Sequence, residues 1–563
     1  MKRIETDAVV IGGGATGAGT LRDLSLRGIK AILVEENDIA SGTTGRNHGL
    51  LHSGGRYAVN DQESARECIQ ENRILKKIAR HCIEDTGGLF VTLPEDDPTF
   101  HDKLMEGCGM SDIEAREISP KKALSIEPNC NPDIVKAITV PDGTIDPFRL
   151  TASNILDATE RGADVFTHTA VTDIIVKGNR ALGVICRNRE ESFEIRANII
   201  INASGVWGQK ICKMAGIELL MFPSRGSMVI IDYRINGVVV NRCRMPSDGD
   251  IIVPGDTVSL IGTTSRQMDY TDIDNYRIDN DEIEVLLKDG EKLLPNVEKT
   301  RVLRAYSGVR PLVAVSGESR GRDISRGIVL IDHWERDGME GLVTISGGKL
   351  MTYRLMAEMT TDLAASKLGA KAACTTDRHP LPGSEEPISN RKSMKQFSGL
   401  PASVVGSTLY RHGLRVKNIL KKDKKNYRLI CECEMVTEGE VEYALKHLNV
   451  HDIIDLRRRT RIGMGPCQGE LCAYRSAGLF SAYRPEGSEE ATMLLQDYLE
   501  ERWHGIKPVL WGDGLRESEF TYWIYANLFG LSDLMEVSEN PSPTASSGTK
   551  QETSGKKIGS RKK

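Results

Sequence analysis

The chain has 563 residues, of which 39% are hydrophobic, and 74 Lys and Arg stand against 79 Asp and Glu. The near-balance of charge argues against nucleic-acid binding. No run of about 20 apolar residues occurs, so nothing in the sequence is expected to span a bilayer. At roughly 100–200 residues per domain, the length suggests three or four structural units.

The N-terminus, MKRIETDAVVIGGG, carries a short apolar run that leads straight into glycines. It reads as a first strand over residues 4–11 and not as a secretory signal. A helix over 15–27 and a strand at 31–35 (AILVE) complete a βαβ unit. A helical stretch near 62–82 follows, and a strand-like IIINASG at 199–205. Between 220 and 310, SMVIID and DTVSLIGTTS predict an antiparallel sheet, a substrate domain inserted between dinucleotide-binding segments. GLVTIS (341–346) predicts a further strand, with a helix beginning around Gly348. RHPLPGSEEPISN (378–390) reads as a linker, and the Ser/Gly/Lys-rich tail from Ser538 as disordered. The expected fold class is α/β: a Rossmann-like domain with an inserted sheet over 1–375, a linker over 376–425, a small helical module over 426–482, a helical region over 483–537 and a tail over 538–563.

Residues 12–17, GGGATG, place Gly12, Gly14 and Gly17 in a G-x-G-x-x-G pattern. Gly12 permits the tight turn, Gly14 lets the backbone approach a pyrophosphate, and Gly17 lets the helix pack on the strand. Glu35 closes the second strand, at the distance expected of an acid that binds a ribose hydroxyl. The motif alone does not choose between FAD and NAD. The run after Glu35, with Ser41, Thr43 and Thr44, suits a long flavin cofactor, and no second such motif is evident. Gly205, Gly347 and Gly348 are further candidates for close approach to that cofactor.

His52, Arg56 and Tyr57 (HSGGRY), Arg310 (GVRPL) and Lys349 (SGGKLMTYR) are far apart in sequence but share one chemistry. Arg and Lys suit a phosphate dianion, and His suits the removal of a hydroxyl proton. A lone Arg is more often a solvated surface charge; the glycines beside His52 and Lys349 favour a ligand site.

Eight of the twelve cysteines are scattered (Cys68, Cys82, Cys108, Cys130, Cys186, Cys212, Cys243 and Cys374) and are expected to stay reduced. The other four form two close pairs, Cys431/Cys433 and Cys467/Cys472. Such a set suits zinc or a [2Fe-2S] cluster. The C-x-C and C-x4-C spacings differ from the common zinc ribbon, and a flavin's electrons need a one-electron outlet. RRRTR (457–461) reads either as charge balance for the cluster or as a solvated or partner-facing strip.

The strings TGRNHGLLHSGGRYAV, VPDGTIDPFRL, SLIGTTS, RAYSGVRPLV, SGGKLMTYRLMAE and RRRTRIGMGPCQGELC together resemble the family of large catalytic subunits of bacterial anaerobic glycerol-3-phosphate dehydrogenases. The resemblance spans residues 4 to about 530. It implies an FAD fold of the glycine-oxidase class, and a [2Fe-2S] module similar to bacterioferritin-associated ferredoxin held by Cys431, Cys433, Cys467 and Cys472. It implies substrate contacts at His52, Arg56, Tyr57, Arg310 and Lys349, with Thr264 nearby, and catalytic roles for His52, Arg310 and Lys349. It further implies a second flavoprotein subunit, an iron–sulfur membrane-anchor subunit, menaquinone as acceptor, and a place on the cytoplasmic side of the inner membrane. Family members usually carry Lys-Gly-Ser where this chain has Arg225-Gly226-Ser227, so Arg225 is given no substrate role.

The expected reaction is oxidation of sn-glycerol 3-phosphate to dihydroxyacetone phosphate, with the phosphate held by Arg310, Arg56 and Lys349 and the C2 hydroxyl facing His52. One rival is an FAD-dependent oxidase or dehydrogenase of an amine or amino acid, which the same architecture hosts. The other is a non-catalytic electron-transfer component, against which the retained His52, Arg56, Arg310 and Lys349 argue.

Overall fold

The computed structural model describes residues 2–313, 327–387, 397, 399–421, 423–484 and 488–531. The tail expected to be disordered, 538–563, lies outside the described residues, as does the end of the 378–390 segment.

The first strand, β1 (Lys2–Ile11), is buried from Ala8 onward because it lies in the middle of a sheet covered on both faces. It pairs in parallel with β2 (Ala31–Val34) on one side and with the strand Ser192–Asn202 on the other. The helix α1 (Ala15–Leu26) connects β1 and β2. Strands Asp164–Phe166 and Leu342–Gly347 extend the parallel part, and the hairpin Ala170–Lys177/Arg180–Arg187 packs antiparallel on the outer half of Ser192–Asn202. Apolar side chains fill both faces: Val10, Leu21, Leu33, Ile201 and Val343 on one, and Val9, Ile32, Ile195 and Ile200 on the other.

Among the described residues the second sheet has nine strands. Ser224–Ile231, Ile251–Pro254, Ser259–Gly262 and Val302–Arg310 pair antiparallel, as expected. The sheet does not come from 220–310 alone, however. Gly88–Thr92, Lys136–Val140 and Arg116–Ile118 continue it, joined through a parallel pairing of Val239–Arg242 with Gly88–Thr92. That join is a long-range pairing that local sequence does not encode. The helix Asn280–Leu293 covers one face, burying Ile283 and Leu286 against Val229 and Ile261.

Residues assigned to a linker, 376–425, include the helix Ala402–His412 and the turn of helix Val416–Ile419. Val404, Val405, Leu409, Val416 and Ile419 form a small core there, with Leu429 and Tyr443 of the following module packed against it. That module comprises a short ladder (Leu429–Cys431 with Val436–Thr437) and the helices Glu438–His447, Ile453–Thr460 and Cys472–Tyr483. Ser488–Ile506 follows as a long helix. Residues up to 514 form one compact unit. In the second unit, from Leu515, the chain continues the helix Gly512–Trp523 into the turn Ile524–Leu528. Among the described residues no helix is long and apolar enough to cross a membrane.

Candidate functional site

The turn from β1 into α1 needs glycine at 12 and 17 on steric grounds. Gly12 has φ +110°, and a Cβ there would lie 2.6 Å from the Ala203 carbonyl oxygen. A Cβ on Gly17 would lie 1.9 Å from the Gly12 carbonyl oxygen, so only glycine lets the helix sit this close to the strand. Gly12 and Gly14 line a cavity of about 360 Å³, together with Glu35, Ser41, Thr43 and Thr44; Gly17 stays behind it as a packing residue. Glu35 Oε2 accepts from the Gly13 N–H at 2.6 Å and Oε1 from the Asn37 N–H at 2.9 Å. Burial raises this carboxyl above its ordinary value, against the pull of those two donors. Thr44 Oγ1 accepts from the Ala15 N–H at 3.0 Å, and the Thr43 hydroxyl donates to the Val309 carbonyl at 2.6 Å, which ties the loop to the second sheet.

The same cavity is lined by Gly205, Gly347, Gly348, His52, Arg56, Tyr57, Arg310 and Lys349. Gly347 (φ +77°) and Gly348 (φ +66°) both adopt the left-handed region, and a Cβ on Gly347 would lie 2.3 Å from the Gly327 carbonyl oxygen. The helix expected at Gly348 starts later, at Tyr353, after a 3-10 turn over Leu350–Thr352. The reason is local: Thr352 Oγ1 accepts the Lys349 N–H at 2.9 Å and sets the turn. These paired bare backbones, continuous with the glycine turn, fit a long dinucleotide such as FAD.

Arg310 ends the strand Val302–Arg310, and its Nη2 donates to Thr263 Oγ1 at 2.9 Å and to the Thr264 carbonyl at 3.1 Å. Space for the guanidinium is made by Gly226, where a Cβ would meet Nη2 at 2.4 Å. Lys349 Nζ is buried without a hydrogen-bond partner among the described residues and lies 4.6 Å from the centroid of the Tyr57 ring. The His52 ring lies 5.6 Å from that of Tyr57 and 6.0 Å from that of His48. Asp142 supports this loop, accepting from the Ser53 N–H at 2.6 Å and from Asn241 at 3.2 Å.

The Thr264 side chain is fully buried and does not line the cavity: its hydroxyl donates to Glu282 at 2.6 Å and accepts the Ser227 N–H at 2.9 Å. Its contribution is the carbonyl that orients Arg310, and Thr263 is the residue of that pair that lines the cavity. Both follow the strand Ser259–Gly262 in an irregular stretch, where no periodicity in the sequence says which of two neighbouring side chains faces the cavity. His48 and Thr263 also line the cavity, and they lie in the strings TGRNHGLLHSGGRYAV and SLIGTTS respectively. Arg225 faces away, paired with Glu282 and, at 3.0 Å, with Asp279.

The four clustered cysteines converge. Cys431 contacts Cys472 and Cys433 contacts Cys467; the first pair is buried and the second half-buried. The Cys433 thiol, then the N–H groups of Gly469, Leu471 and Glu470, hold Cys467 down at about 6. Backbone donors aimed at sulfur suit thiolates bound to a metal cluster. The arginines at 457–461 are not a solvated strip. Arg459 pairs with buried Asp38 at 2.6 Å and Arg458 with the same carboxylate at 3.0 Å. Arg461 reaches Asp146 at 3.1 Å and Glu434 at 3.2 Å, and also Asp256. The run fastens the cysteine module to the loop that follows Glu35.

Comparison with known proteins places these features. A family described as "FAD dependent oxidoreductase" matches residues 7–354, and a "BFD-like [2Fe-2S] binding domain" matches 429–481. The chain is 55% identical over 528 residues to one of the subunits of the anaerobic glycerol-3-phosphate dehydrogenase of Escherichia coli K12, covering 93% of this chain and 97% of that one. It is 52% identical over 542 residues to the corresponding subunit of the Haemophilus influenzae enzyme, covering 96% of each. The fold is also similar to a solved glycerol-3-phosphate dehydrogenase from Bacillus halodurans complexed with FAD, with TM-score 0.69 and 23% identity, over 90% of this chain and 96% of that one.

Proposed function

The chain belongs to the family of large catalytic subunits of anaerobic glycerol-3-phosphate dehydrogenases, and from that premise we propose that it oxidises sn-glycerol 3-phosphate to dihydroxyacetone phosphate. The observation that carries the reading is one cavity in which a dinucleotide turn meets Arg310, Arg56, His52 and a buried ammonium, Lys349 Nζ, that has no hydrogen-bond partner among the described residues. A phosphate dianion supplies what that ammonium lacks.

Arg310, oriented by Thr263 and the Thr264 carbonyl, and Arg56 take the phosphate from two sides, with Lys349 closing the third. Tyr57 packs against Lys349 and His52 and holds both in place. His52 then faces the C2 hydroxyl and takes its proton. When bound, FAD accepts the C2 hydride, and the [2Fe-2S] cluster passes the electrons on singly. Glu35 would take a ribose hydroxyl of the bound FAD, and Cys431, Cys433, Cys467 and Cys472 would hold the cluster.

The onward acceptors in this reading are a second flavoprotein subunit, an iron–sulfur membrane-anchor subunit and menaquinone, with the chain docked through them on the cytoplasmic face of the inner membrane. The likeness to the family's large catalytic subunits supports this. The test is anaerobic incubation of the purified protein with glycerol 3-phosphate and a dye acceptor. Dihydroxyacetone phosphate is the expected product. Its absence, with peroxide formed from glycine or sarcosine in air, would overturn the reading in favour of an amine oxidase.

A further inference from the structure

Residue His48 is not needed for the roles just assigned, yet it lies on the wall of the same cavity. Its Nδ1 accepts a hydrogen bond from the Leu50 N–H at 3.2 Å. An accepting Nδ1 carries no proton, so the uncharged ring must carry its proton on Nε2. Nε2 makes no hydrogen bond to a described residue. The ring packs edge-on to His52, with centroids 6.0 Å apart, and its Cδ2 lies 3.5 Å from where a Cβ on Gly262 would stand. The ring is half-buried, and its desolvation, with the Arg56 and Arg310 guanidiniums nearby, holds its pKa down at about 3.

We infer that His48 is a fixed, uncharged N–H donor that binds the C2 oxygen of the substrate through Nε2. This rests on the reading that the chain oxidises the C2 alcohol of glycerol 3-phosphate. The phosphate already has Arg310, Arg56 and Lys349, and charged donors serve a dianion better than a neutral imidazole. The C2 oxygen is the substrate atom whose charge changes. As the C2–H bond breaks, its electron pair leaves as hydride to the flavin. The hydroxyl proton passes to His52 and the C2–O bond becomes double. His48 keeps its proton throughout and donates most strongly while the oxygen is alkoxide-like, so it stabilises the transition state more than the bound alcohol. With so low a basicity, it is ill-suited to be the proton acceptor near neutral pH.

The test compares His48→Leu and His48→Gln in the FAD-loaded full chain, using activity and ligand binding. Binding is measured for dihydroxyacetone phosphate and for propane-1,3-diol monophosphate, which lacks the C2 oxygen. In H48L, kcat/KM for glycerol 3-phosphate should fall about 100- to 1,000-fold. Its Kd for dihydroxyacetone phosphate should rise about tenfold or more, while the Kd for the propanediol ester should hold within about threefold. H48Q keeps an N–H donor and should recover most of the loss, with the acid limb of the pH profile unmoved. Equal weakening of both ligands in H48L would overturn the proposal in favour of a phosphate contact. An H48Q as inactive as H48L, with the acid limb abolished, would overturn it in favour of a proton acceptor. If H48L fails to fold, ligand binding by H48Q decides: an unchanged preference for the C2-oxygenated ligand supports the donor, and a lost one contradicts it. Wild-type protein inert to glycerol 3-phosphate removes the functional reading itself; wild-type behaviour of both variants removes this inference alone.

Discussion

Arg310 carries the heaviest demand at the residue scale. It is placed by Thr263 Oγ1 and the Thr264 carbonyl, and Gly226 clears the space for its guanidinium. Replacing it by Ala should cost at least about 2 kcal/mol in kcat/KM, roughly 30-fold, while FAD stays bound. Steady-state kinetics on the flavin-loaded variant checks this, and an unchanged kcat/KM would contradict the clamp. Replacing Cys467 by Ser should bleach the cluster spectrum and leave the flavin reducible by substrate; full cluster absorbance would remove Cys467 from the ligand set. The candidate residues His52, Arg56, Arg310 and Lys349 were legible because each sits in a string of glycines and charges that a plain core would not carry. Thr264 offers Arg310 its carbonyl while its hydroxyl turns to Glu282, a choice that an irregular stretch of sequence does not reveal. His48 was overlooked because the tautomer that gives it meaning is set by the N–H of Leu50.

Among the elements, β1, α1 and β2 were readable because the turn between strand and helix imposes its glycines locally, whatever the rest of the chain does. The helix Ala402–His412 was not readable in a stretch flanked by proline, glycine and lysine. Its stability comes from partners. Arg411 donates to both oxygens of Glu440 at 2.6 Å, and His412 pairs with the same carboxylate at 2.8 Å. Burial alone would raise Glu440; Arg411 and His412 outweigh it and hold the carboxyl at about 2. An unfolded Glu titrates near about 4.3, so the folded pKa is depressed. The stabilisation is therefore fully present above about pH 4.3, is lost as pH falls through about 2, and amounts to roughly 3 kcal/mol. Glu440→Gln leaves Arg411 buried without its counter-charge and should cost about 3–5 kcal/mol near neutral pH. Urea unfolding followed by circular dichroism should show a lower midpoint for the variant at pH 7, with the gap to wild type narrowing as pH drops towards 3. A gap that is constant with pH would contradict the assignment.

For the whole molecule, the decisive feature is that the cysteine module is fastened to the cofactor-binding domain by buried ion pairs. Asp38, 1% exposed, lies three residues after Glu35 and receives both Arg458 and Arg459. Asp146, at the N-terminus of the helix Pro147–Glu160, receives Arg461. These partners lie hundreds of residues apart in sequence, so the arginine run could be seen but its purpose could not. The arrangement makes one chain both the hydride-accepting site and the first one-electron outlet. Anaerobic rapid mixing of the purified full-length protein with glycerol 3-phosphate tests this most directly, with the flavin followed by absorbance and the cluster by electron paramagnetic resonance. The account predicts loss of the oxidised flavin band, followed by the signal of a reduced [2Fe-2S] cluster within the same chain. A flavin that stays oxidised, or one that is reduced beside a cluster that never accepts an electron, would contradict it.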